Sequence, residues 1–132
     1  MSASTITVEV APGEMIDKIT ILNIKAERIT DEAKLKNVHI ERDILTKTLN
    51  DAVPASAELD ALTAELQTIN EKLWVIEDDI RDCERAKDFG DTFIQLARAV
   101  YVTNDERAAV KRKINELLGS RIVEEKSYAD YK

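Results

Sequence analysis

Leu59, Leu62, Leu66, Ile69, Leu73, Ile76, Ile80 and Cys83 recur at alternating spacings of three and four, an unbroken heptad seam. The spacing predicts one helix over 57–86, opened by Ser56 as its cap and about 45 Å long at 1.5 Å per residue. Upstream, Met15, Ile19, Leu22, Ala26 and Ile29 form a second stripe, with Ile16, Ile21 and Ile24 beside or behind it. That arc is wide enough for more than one packing partner. The phase changes near residue 30, where Thr30 or Asp31 can cap a new series through Leu35, Val38, Leu45 and Leu49 that closes at "NDAVPAS". After "KDFGD", with Asp91 as a candidate cap, Phe93, Leu96, Ala97 and Val100 make a further face that resumes at Val110, Ile114 and Leu117. Thr103 or Asn104 between them leaves two readings open, one helix with a polar middle or two shorter ones. Gly119 sits where a helix ends.

Only "ITVEV", residues 6–10, alternates as a half-buried strand does, and no second convincing strand follows to pair with it. The pattern therefore predicts a mainly α protein: a long antiparallel helical hairpin, formed by the 57–86 helix with the first helical region, plus one or two further helices and a short N-terminal extended segment. With 132 residues, three glycines and two prolines, the chain suits one domain over 1–132 with few long elements. Residues 120–132 keep Ile122, Val123, Tyr128 and Tyr131, enough apolar material for the tail to pack on the helices. The long seam, the extra isoleucines and the unmated strand together predict self-association, preferably as a dimer, with Ile21, Ile24, Trp74 and Val75 as candidate contacts.

Charge sharpens the picture. The net charge of −7 disfavours a general nucleic-acid surface. Residues 56–88 carry 10 acidic and 4 basic side chains whereas 89–132 carry 7 and 8, so the two segments are electrostatically complementary within a chain or across a dimer. One cysteine permits no internal disulfide, the N-terminus lacks the features of a signal peptide, and no apolar run reaches the roughly 18 residues of a membrane span. The expectation is a cytoplasmic protein that meets itself or a protein partner rather than a membrane.

Candidate chemistry is sparse. "NEKLWVIEDDIRDCE" concentrates six carboxylates, and Asp78, Asp79 and Asp82 at helical spacing offer half of an Mg²⁺ or Mn²⁺ site, with Glu27 and Asp31 as a conceivable second half. All-helical nucleotide pyrophosphatases resemble this in using paired acidic motifs, so a metal-dependent hydrolase of a phosphorylated compound is the alternative function. The ordinary account is a solvated helix face that neutralises itself through Glu77–Arg81 and Asp82–Arg85 pairs. Lys18 and Asn104 are candidate ligand-binding residues if the polar break at 103–105, the charged start at Asp17 and Lys18 and the aromatic tail converge. His39 reads as a surface residue and Cys83 as a small residue of the seam. No phosphate-binding loop, dinucleotide fingerprint or serine elbow occurs, and no cofactor is implied.

"GEMIDKITILNIKAERITDEAKLKNV", "NEKLWVIEDDIRDCE" and "INELLGSRIVEEKSY" together resemble a family of small bacterial and phage-associated helical proteins known only as a domain of unknown function, over roughly residues 8–129. The resemblance implies a recurring domain and supplies no catalytic role for Asp17, Lys18, Asn104 or Glu124. The favoured reading is thus a noncatalytic helical interaction or accessory module.

Overall fold

A computed structural model describes residues 4–132 and contains four helices: α1 (Pro12–Arg28), α2 (Glu32–Ala52), α3 (Ala57–Arg85) and α4 (Asp91–Leu117). No strand occurs among the described residues; 4–11 have no regular secondary structure, and the alternating "ITVEV" segment has no ladder. Local chemistry sets most boundaries. Pro12 starts α1, where a missing N–H costs nothing. The Asp31 carboxylate accepts from the Lys34 amide at 2.9 Å, and the Ser56 hydroxyl accepts from the Leu59 amide at 3.1 Å. The corner after α3 is tight: Lys87 adopts a φ of 58°, and the Asp88 amide donates back to the Cys83 carbonyl at 2.9 Å. Gly90, rather than Asp91, then takes the cap position, and the Asp88 carboxylate accepts its amide at 3.1 Å. Gly119, at a φ of 65°, ends α4 in the left-handed conformation that glycine adopts without strain.

α4 is a single helix, so Thr103 and Asn104 lie in its middle instead of capping a new one. The main partner of α3 is α4, not the first helical region, because a five-residue corner returns the chain directly along the seam. The start of α3 meets the end of α4: Leu59, Leu66 and Ile69 cluster with Val110, Ile114 and Ile16 of α1, and Leu49, Val53, Leu62, Leu73 and Leu118 pack around them. α1 crosses this hairpin. It touches α4 at Gly13 and Asp17, α3 at Asp17, Thr20 and Asn23, and α2 along its length. α2 folds back along α1 and makes no close backbone approach to α3 or α4.

Two consequences follow for exposed surface. Toward the corner that joins them, α3 and α4 leave Val75, Phe89, Ile94 and Val102 exposed. α2, covered on one side only, leaves Ile40 and Ile44 in solvent and buries just Val38. Ile24, expected at an intersubunit contact, is completely buried within the chain, since the wide apolar arc of α1 is consumed by α2, α3 and α4 together. Ile21 and Trp74 are half-buried and Val75 is exposed.

Candidate functional site

Where α1 crosses the hairpin, five polar side chains interrupt an otherwise apolar interior. Asp17 is 1% exposed, and Thr20, Asn70 and Thr103 are buried with it. Burial of a carboxylate is tolerated only when partners replace its water. Here the Arg107 guanidinium grips Asp17 with two nitrogens, Nε at 2.9 Å from Oδ1 and Nη2 on Oδ2. The Asn70 amide donates to Asp17 Oδ1 and to Thr20 Oγ1, each at 2.9 Å, while the Thr20 hydroxyl donates to the Asp17 carbonyl at 2.7 Å. Lys111 Nζ stands 4.0 Å from Asp17, 2.7 Å from Glu14 and 3.7 Å from Glu124.

The electrostatics follow from this geometry. Desolvation pushes the Asp17 pKa up, but hydrogen bonds from Arg107 and Asn70 and the positive charges of Arg107 and Lys111 outweigh it and hold the carboxyl below its ordinary value. The Asp17 contact raises Arg107 reciprocally. A fully ionised, fully satisfied pair of this kind anchors α1; both oxygens are occupied and no proton is poised to move. Thr103 Oγ1 differs, being buried without a hydrogen-bond partner.

Beside this node the N-terminus of α1 and the outer side of α4 approach so closely that Gly13 is required. The Gly13 amide donates to Asn115 Oδ1 at 2.7 Å, and a Cβ there would lie 2.6 Å from the Lys111 carbonyl oxygen. A groove of about 500 Å³ opens here between α4 and the tail, lined by Lys111, Arg112 and Asn115 on one side and Val123, Glu124 and Lys126 on the other. The tail runs back along α4. Glu124 faces Lys111, Glu125 faces Arg112 at 3.9 Å, and the Tyr131 hydroxyl donates to Asp105 at 2.7 Å with its ring edge-on to Tyr101. Arg121 binds Glu9 through three contacts of 2.5–3.0 Å, tying tail to N-terminal segment.

The sequence-predicted residues are placed as follows. Asp17 and Asp105 do meet residues from distant parts of the chain, but Lys18 points to solvent and neither Lys18 nor Asn104 lines the groove. Asn104 instead accepts a 3.5 Å contact from Arg107, its neighbour one turn on. Asp78, Asp79 and Asp82 are exposed; Asp82 accepts from Arg85 at 2.5 Å and Glu77 pairs with Arg81. Among the described residues no three His, Cys, Asp or Glu side chains are grouped to hold a metal ion. His39 is exposed. Partial desolvation and the carboxylates of Asp88, Asp79 and Asp82 push the Cys83 thiol up, opposite to the direction that activates a nucleophile. Arg107, Asn70 and Thr20 were missed as partners. Only Arg107 left a trace in the sequence, a cation one heptad from the apolar Val100 and one turn from Val110.

Four helices held by the Asp17–Arg107 crossing, with no group of metal-ligating side chains among the described residues, define an all-helical domain. The chain belongs to the family of unknown function DUF6165, which it matches over residues 6–131. No curated protein and no solved structure matches it. No helix is long and apolar enough to cross a membrane.

Proposed function

We propose that the chain is a noncatalytic helical interaction module that works as a homodimer. The observation that carries this reading is its surface. The accessible area is 9392 Å², against about 7,000 Å² for a compact monomer of the same mass. Several large apolar residues lie on it: Val75, Phe89, Ile94 and Val102 toward the α3–α4 corner, with exposures of 37–50%, and Ile40 and Ile44 on α2. A second copy packed against these residues would supply the helical layer that covers them. Ile21, Trp74 and Val75 remain the candidate contacts. A stable interface needs about 800 Å² from each partner, well within the excess.

Three acids of α3, Glu77, Asp82 and Glu84, pair with Arg81, Arg85 and Lys87, and no three carboxylates are grouped to hold a metal ion among the described residues, which favours an interaction surface over a metal-dependent hydrolase. Light scattering with size exclusion at micromolar concentrations tests the reading. The expected mass is about 30 kDa, twice the 14.9 kDa chain. A mass near 15 kDa that does not rise with concentration rejects it.

A further inference from the structure

Residues 5–10, "TITVEV", have no regular secondary structure, lead into the extended Ala11, and hydrogen-bond to nothing through their backbone among the described residues. Ile6, Val8 and Val10 are 88%, 67% and 41% exposed and occupy alternate positions, which share one face whenever the segment is a strand. Such a segment has the composition of a strand and the unpaired edge that folded proteins ordinarily defend with charge or proline. Here the one charged residue, Glu9, lies on the opposite face, where Arg121 neutralises it. Ala11 is buried and Pro12 begins α1, so the segment is held at its far end and beside Glu9. These two tethers restrict it before it meets a partner, which lowers the entropy of pairing. The family match begins at residue 6, which makes the segment part of the shared domain.

We propose that residues 6–10 pair antiparallel with the same residues of a second copy, centred on Val8. That register pairs the most apolar residues: Val8 faces Val8 of the second copy, Ile6 faces Val10, and Thr7 faces Glu9, which puts six apolar side chains on one face, whereas a two-residue shift pairs only four of them and leaves Val10 opposite Ser4. A parallel, in-register pairing would set Glu9 opposite Glu9, and a one-residue slip would set Val8 opposite Glu9. An isolated two-stranded ribbon is marginal in water. The ribbon therefore rests on the self-association proposed above and adds a second contact to it.

The test uses full-length protein carrying Cys83→Ser. Directly opposed residues of an antiparallel pair bring Cα atoms to about 4.5–5.5 Å, within disulfide range. Val8→Cys is expected to form a disulfide-linked dimer under mild oxidation at least about ten times faster than Thr7→Cys, whose direct opposite is Glu9. Val8→Asp in the unaltered sequence is expected to weaken the dimer about tenfold or more, through like charges facing each other and lost valine burial, without changing the helical circular dichroism. A 30 kDa particle in which Val8→Cys and Thr7→Cys cross-link equally, or in which Val8→Asp leaves the dissociation constant unchanged, overturns the ribbon and leaves self-association standing. A 15 kDa particle at all concentrations overturns both.

Discussion

Arg107→Met removes both guanidinium contacts from a carboxylate that water cannot reach. Asp17 would retain one hydrogen bond from Asn70 at 2.9 Å and a charge 4.0 Å away on Lys111. Stripping one partner from a buried pair costs about 3–5 kcal/mol, and with Asn70 and Lys111 still present we expect the lower end, about 3 kcal/mol. With a urea slope of about 2 kcal/mol/M, the midpoint followed by circular dichroism at 222 nm should fall by about 1.5 M with little change in slope. Adding Asp17→Asn should restore part of the loss, because the charge left without its partner is then gone, so the two substitutions should be non-additive. The pH dependence has a definite sign. Asp17 is held below its unfolded value near 3.9, so its contribution is complete above about pH 4 and is lost as pH falls through the lower folded value. Arg107→Met should flatten that acid limb. A loss below about 1 kcal/mol at neutral pH, or an unchanged acid limb, would refute the assignment of Asp17 and Arg107 as the anchor of α1.

Gly13→Ala gains helix propensity of about 1 kcal/mol but forces a Cβ to 2.6 Å from a backbone carbonyl that cannot rotate away; crowding should win, lowering stability by about 1–3 kcal/mol in thermal unfolding. Tyr131, pushed up to about 12 chiefly by its hydrogen bond to Asp105, should give a late step in an absorbance titration that Tyr131→Phe removes, and Asp105→Asn should return it toward 10. Because the bond needs the neutral phenol, tail docking through Tyr131 should be intact below about pH 10 and fade between about 10 and 12.

What could be read from the chain was what repeats. The eight-residue seam of α3, the Ser56 and Asp31 caps and the stop at Gly119 are local patterns with local causes, and each stands where the spacing places it. The break at residue 30 is similarly a matter of phase. The choice of partner for α3 was not legible: an apolar stripe says that something covers it, not which helix does, and α1 and α4 offered comparable stripes. Asp17 in particular reads as part of a charged helix start with Lys18, and only a residue 90 positions away explains its burial. Ile24 misleads for a related reason, since apolar residues outside one stripe mark either an interface or a helix with several neighbours inside its own chain. The polar centre of α4 left one helix or two undecided, and the answer depends on Arg107 and Thr103 facing inward.

The position of α1 has a kinetic corollary. α1 with α2 and α3 with α4 are neighbours in sequence, so each hairpin closes a short loop, whereas Gly13 with Asn115 and Asp17 with Arg107 join residues 102 and 90 apart. Loop closure over such spans is entropically costly unless intervening chain is already folded, which places docking of α1 after formation of the hairpins. α2 reaches the rest of the molecule largely through α1, so the first half of the chain and the second become one cooperative unit only when that single crossing is made.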